Sequence, residues 1–367
     1  MDHGRILSLF GWLSVLASLG GCAHTAQLNA WKPAEVDVTG ISRLTVMEFT
    51  GPEGKAVSSA LAAKLWQSEF FTLIDHTQVQ ASFQREIPVG NTALALQAAN
   101  AAGVQGIILG EVVAYKCDDH VTENQHLHMT TSSNETERDG KGKKAGKTTE
   151  IGIDRNVTFK REATVALTFR LIDVRTGQVR ATKPVTHSFS DQSVNGDKNL
   201  PPAHEVLAQL LNECTTDIAI MLAPHQTAQA VELVSSHWFQ KGGSLVNDGI
   251  KLAKNGQWDR AAAAWQAALK VDPQNHAAMY NLALAHEAKH EFAPAEEYIT
   301  QAIAVRPNNR YSDALERVRQ EKTNYLLAQQ QRDSRNVNTA IQWTDSPSSP
   351  SPVTHAQLIS PQTPMKK

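Results

Sequence analysis

The stretch from Gly249 to Pro307 repeats itself at a spacing of 34 residues. Gly249, Leu252, Gly256, Ala261, Trp265, Ala268, Leu269 and Pro273 are matched one period later by Ala283, His286, His290, Ala295, Ile299, Ala302, Ile303 and Pro307. No other feature restricts the fold as much, because a unit of this length buries its apolar face only against a neighbouring unit. The residue types suit two packed helices per unit. Small Ala261 and Ala295 let helices approach, bulky Trp265 and Ile299 fill the space between them, and Pro273 and Pro307 stop the second helix. Two units bury too little alone, so flanking chain must close the stack. Arg310 to Gln331 reads as a polar capping helix, and Val231 to Lys241, with Trp238 and Phe239, packs the near end or bridges to the preceding domain.

This pattern resembles the tetratricopeptide (TPR) repeat, which implies an all-α helical-repeat domain over 240–335. The resemblance implies an inner face that receives a peptide or a partner helix, lined here by Asn247, Ile250, Tyr280, Asn281, Leu284 and Glu287. Asparagines at corresponding places in both units resemble the ligand-holding positions of peptide-binding members, whereas the basic clamp of carboxylate-binding members is absent. The alternative is that these six residues serve helix packing alone.

Before the repeat, a second pattern alternates strands and helices. Arg43 to Phe49 alternates like a strand, Lys55 to Gln67 carries Val57, Leu61 and Leu65 at helical spacing, and Phe70 to Ile74 is a short apolar strand. Helical stretches follow at 77–85 and 92–102, then a buried strand from Gly106 to Val113. Lys160 to Val174 and Gln178 to Phe189 read as strands joined by the turn Arg175-Thr176-Gly177, with Ala163, Val165, Leu167, Phe169 and Leu171 facing inward. His204 to Leu222 is an amphipathic helix. The segments Phe70–Asp75 (FFTLID), Ala102–Glu111 (AGVQGIILGE) and Leu171–Gly177 (LIDVRTG) resemble the curli-secretion (CsgG) family and its relatives, the lipoprotein activators of penicillin-binding proteins and the N-terminal domain of TolB. The resemblance implies an α/β domain over 36–226, a mixed sheet flanked by helices, and protein partners rather than chemistry. Family pores insert amphipathic hairpins into this fold. The corresponding stretches here, 118–156 and 188–201, read as polar loops unable to offer a lipid face of about 9–11 residues. That makes the chain anchored to a membrane rather than threaded through it.

The anchor is at the N-terminus. Ile6 to Leu19 is an uncharged run of fourteen residues, short of the ~20 that span a bilayer and typical of a signal peptide. It ends at Leu19-Gly20-Gly21-Cys22, which resembles a bacterial lipobox. The resemblance implies cleavage after residue 21, acylation of Cys22 and a linker over 22–35. Ala23 differs from the Asp that marks inner-membrane retention, which favours the periplasmic face of the outer membrane. In that oxidising compartment Cys117 and Cys214 are free to pair, and their spacing leaves open whether they meet.

Thirty-five basic against 37 acidic residues give a net charge of −2, so no basic field points to nucleic acid. The stretch Gly140–Thr148 (GKGKKAGKT) imitates a phosphate loop, yet Lys141 stands where the first glycine belongs and no strand or helix flanks it. His120, His126 and His128 lack the carboxylate or thiol partners of a metal site. Glu48, Asp75, Glu111 and Asp173 fall at strand ends without a paired nucleophile, histidine or metal motif. No cofactor or metal is implied. The expectation is a non-catalytic envelope lipoprotein acting through protein contacts, with homo-oligomerisation like that of the ring-forming channel relatives as an alternative within the same class; an envelope hydrolase with a site assembled from distant residues is the contrasting class. Residues 336–367 read as a disordered tail, with five prolines among serines after Asp345 and too few apolar residues to fold.

Overall fold

The computed structural model describes residues 24–83, 86–134, 146–237 and 239–344. The signal segment and Cys22, the tip of the 118–156 stretch, Trp238 and residues 345–367 lie outside them. In chain order the elements begin with β1 (His24–Lys32), β2 (Arg43–Val46), α1 (Gly54–Gln67), β3 (Thr72–Leu73), α2 (His76–Phe83) and α3 (Thr92–Ala101). Next come β4 (Gly106–Asn134), β5 (Gly146–Asp173), β6 (Val179–Val194), α4 (Ala203–Leu222) and β7 (His225–Leu233). The repeat supplies α5 (Gly243–Lys254), α6 (Trp258–Val271), α7 (His276–Ala288), α8 (Phe292–Val305) and α9 (Asn309–Thr344). Two compact units divide at Pro33/Ala34 and again at Ala223/Pro224, and α9 is shared between them at Gln329/Gln330.

The α/β unit is a five-stranded mixed sheet in the order β3-β2-β4-β5-β6. The β2 strand runs parallel to β3 and β4, while the β4–β5 and β5–β6 pairs are antiparallel. Ile107, Ile108 and Leu109 are buried on both sides of β4, as a central strand covered on both faces requires. One face packs Ile108, Val165, Leu167, Phe169 and Leu171 under α1 and α4, through Val57, Leu61, Leu65, Val206, Leu210 and Ile218. The other packs Ile107, Leu109 and Ile172 against α2 and α3 through Val79, Ala95, Ala98 and Ala99.

The stretch 118–156 is not a loop. The β4–β5 ladder continues without a break from Ala114↔Ala166 to Asn134↔Gly146, so both strands run far past the body of the sheet. The polar composition hides a period-two alternation. Val121, Leu127 and Met129 on β4, with Ile151, Ile153 and Val157 on β5, share one face and are exposed. Threonines, asparagines and histidines occupy the other face, where His128 Nδ1 meets Asp154 at 3.0 Å. Expecting no apolar face was therefore wrong: the stretch is amphipathic, and β-branched Thr, Val and Ile favour the extended backbone.

The linker expected over 22–35 is likewise a strand for most of its length: β1 pairs antiparallel with β7 from His24↔Leu233 to Lys32↔His225. The tail also begins later than residue 336, because α9 continues to Thr344. Cys117 and Cys214 are free thiols. Cys214 is fully buried, its Sγ lies 3.5 Å from the Val165 carbonyl oxygen, and burial pushes the thiol up to about 11.

Candidate functional site

The helical unit carries the residues expected to bind a partner. Its helices stack as the 34-residue period dictates. Gly249 of α5 has no room for a side chain, because a Cβ there would lie 2.3 Å from the Trp265 indole nitrogen, and that nitrogen instead donates to the Val246 carbonyl at 3.1 Å. Pro273 ends α6, and the side chain of buried Asn275 accepts from Ala278 N at 3.0 Å to cap α7. The result is a concave face formed by α5 and α7.

That face is occupied by the chain itself. Asn281 is fully buried; its Oδ1 accepts from Val234 N at 2.8 Å and its Nδ2 donates to Val234 O at 2.8 Å. One period earlier Asn247 does the same to Ser236, donating to its carbonyl at 2.9 Å and accepting from its N–H at 3.3 Å. Two side-chain amides thus hold alternate residues of an extended backbone, reading main chain rather than side chains. Beside them the ribbon of β1 and β7 turns Ala26, Leu28, Val231 and Leu233 into the same apolar core as Ile250, Tyr280, Leu282 and Leu284.

The far end of β1 is fastened by charge. Lys32 Nζ lies 2.5 Å from Glu321 Oε1, and Arg317 pairs with Glu287. Glu287 and Glu321 are 4% and 6% exposed, and each keeps one carboxylate oxygen without a partner. Burial pushes the Glu287 carboxyl above the usual carboxylate range; Arg317 opposes the rise and Glu321 adds to it. A group raised by folding contributes stability that is complete below its unfolded pKa and is lost as pH climbs through the raised value. The Glu287→Gln variant lacks that loss, so its melting temperature relative to the parent should increase from acidic to neutral pH. A gap that stays constant across that range would refute this account.

Of the six expected inner-face residues, then, five are buried and Asn247 is half-buried. Asn247 and Asn281 hold the chain that follows β7, whereas Tyr280 stacks on Tyr311 at 4.7 Å and Glu287 pairs with Arg317, both on α9. The candidate acids do not converge. Asp173 is buried, which raises its pKa, but hydrogen bonds from Arg180 and Thr176 more than reverse the effect. Asp75 caps Thr77 at 2.7 Å, and Glu111 is exposed. Among the described residues no group of three His, Cys, Asp or Glu side chains is arranged to hold a metal, and no described helix is long and apolar enough to cross a membrane.

A mixed sheet with helices on both faces is followed by a two-unit helical repeat. The profile of the curli production assembly/transport component CsgG matches residues 36–242, and that of a tetratricopeptide repeat matches 249–310. The chain belongs to the CsgG family. No curated protein matches it. Among solved structures it is similar to the PelC dodecamer from Paraburkholderia phytofirmans, at 13% identity over 53% of this chain and 97% of that one, with a TM-score of 0.25. The LpoB C-terminal domain from Salmonella enterica is 15% identical over 41% of this chain and 85% of its own, also at a TM-score of 0.25. Lipoprotein GNA1162 from Neisseria meningitidis is 14% identical over 48% and 98%, again at a TM-score of 0.25.

Proposed function

We propose that this protein is a non-catalytic assembly factor of the cell envelope, tethered through an acylated Cys22 to the periplasmic face of the outer membrane and acting through protein–protein contacts. With the concave TPR face filled by β1 and β7, the surface that carries this reading is the β4–β5 arm. From Asn124 to Asn134 and from Gly146 to Asn156 the arm is only two strands wide, because β6 pairs with β5 no farther than Thr158↔Val194 and Asn195 bonds Val157 just beyond. Each strand of the arm therefore has an unpaired edge over a stretch of about 40 Å, and such edges accept further strands. The apolar face at its outer end consists of the cross-strand pairs Leu127–Ile153 and Met129–Ile151. Below them the Glu123–Arg155 ion pair, at 2.7 Å, interrupts it. Two apolar rungs are short of the ~9–11-residue face of a membrane strand, and they suit contact with protein.

A second reading is a ring-forming component of a secretion assembly. The arm favours it, since pairing the β4 edge of one copy with the β5 edge of the next is a head-to-tail contact, and such contacts close into a ring when the rotation between copies divides a full turn. Envelope hydrolysis has no comparable support, given the separated acids. The experiment is to purify the full acylated chain in detergent and measure its mass by sedimentation, beside a Leu127→Asp/Ile153→Asp variant. A multimer that the variant converts to monomer supports assembly through the arm, and a copy number above two supports the ring. A parent that stays monomeric and captures no envelope protein through a photoreactive residue at Leu127 would sink both readings.

A further inference from the structure

The first residues of β1 border a cavity. It has a volume of about 370 Å³ and lies between the start of β1, the chain after β7 and the last turns of α5, within the ~300–1,000 Å³ range of small-molecule pockets. His24, Ser235, Ser236, His237, Asn247, Ile250, Lys251 and Lys254 line it. Every polar group among them except the two helix lysines is a neutral or imidazole hydrogen-bonding group, and no carboxylate is present. Lys254 Nζ lies 3.2 Å from His24 Nδ1. Lys251 meets Asp248 at 2.9 Å on its own helix, so it reaches the cavity partly neutralised, while Lys254 brings its full charge. Beside the pocket the Phe239 ring, 72% exposed, stacks on His237 at 5.1 Å.

Position identifies the ligand. His24 follows Cys22 by two residues, so the chain holds the two Cα atoms within about 7 Å of each other whatever its conformation. Acylation of Cys22 would therefore bring the cavity to the headgroup layer, where cationic side chains meet lipid phosphates and an exposed aromatic ring enters the acyl boundary. We propose that the pocket of His24, His237, Lys251 and Lys254 binds the phosphate of an anionic lipid in the leaflet that carries the Cys22 acyl chains. The pocket thereby docks the TPR unit flat on the membrane instead of leaving it swinging on its anchor. This inference rests on the acylation of Cys22 proposed above.

The test separates the two. A chain beginning at Ala23 keeps every element from β1 onward and carries no acyl group. Its co-sedimentation is measured with vesicles of phosphatidylglycerol and phosphatidylethanolamine, and with vesicles of phosphatidylcholine. The expected result is binding to the first only, lowered roughly 25-fold by Lys251→Gln/Lys254→Gln at these two exposed positions, with unchanged melting. Equal binding to both vesicles, or no effect of the double substitution, overturns the proposal. Inorganic phosphate protecting Lys254 from acylating reagents where phosphatidylglycerol vesicles do not would also overturn it, assigning the pocket to a soluble anion. Palmitate labelling of the full chain reads the anchor independently. Missing label with retained phosphatidylglycerol binding removes the tether and supports the pocket, whereas normal label without that binding overturns the pocket alone.

Discussion

Replacing Leu28 by Asp should destabilise the helical unit by more than about 4 kcal/mol, most of the ~5–15 kcal/mol that holds a domain together. Leu28 is 4% exposed at the centre of β1 and belongs to the core of the repeat. Truncating such a leucine costs about 2–5 kcal/mol. An unpaired carboxylate in the same space adds a desolvation cost, and the lysine of its strand, Lys32, lies four residues away and is already paired with Glu321. The neighbouring Asn29 points outward on the same strand, so Asn29→Asp should fall within about 0.5 kcal/mol of the parent. Urea unfolding followed by hydrogen exchange across α5–α8 measures both. Equal effects would mean that β1 is not seated in the concave face. The expected difference follows from how the repeat is closed: two TPR units leave an apolar face open, and this chain covers it with a strand from its own beginning.

That closure explains what local sequence could and could not reveal. The 34-residue period was legible because each matched position has one packing job, as Gly249 does beneath Trp265. The strands and helices of the α/β unit were legible where burial alternates cleanly, as in Ala163 to Leu171. The β1–β7 pair escaped notice because its two strands, His24–Lys32 and His225–Leu233, lie some two hundred residues apart. Each has a weak alternation of alanines and polar residues that no local window separates from a linker. The arm was hidden for another reason. Its apolar residues are diluted by Thr, Asn and His on the opposite face, so composition suggested a solvated loop while the period of two at Leu127/Met129 and Ile151/Ile153 specified a strand. For the inner face, the residue positions followed from the repeat, but the identity of the backbone they hold depends on topology alone. A buried amide at Asn281 accepts any extended chain, and here the nearest one is covalently attached.

The second large effect concerns the glycine-rich signature of β4. Gly110 faces the ring of Phe49, and a Cβ at that position would lie 2.2 Å from the nearest ring carbon. Phe49 is 1% exposed and sits in the core beneath α1, so the ring has nowhere to retreat. Gly110 also accepts a hydrogen bond from Thr50 N at 3.0 Å, which ties the chain after β2 to β4 and fixes the distance between ring and backbone. Gly110→Val should therefore cost ~3 kcal/mol or more through overpacking, and Phe49→Ala about 3–5 kcal/mol through the void it leaves. The two changes are complementary in volume. In the double variant the valine occupies part of the space vacated by the ring, and the combined loss should fall short of the sum by at least ~1 kcal/mol, the scale of coupling between residues in contact. Four urea titrations, of the parent, both single variants and the double, measure that coupling directly. Strict additivity would refute it, and the recurrence of glycine in the AGVQGIILGE segment would then need a cause other than the close approach of Phe49.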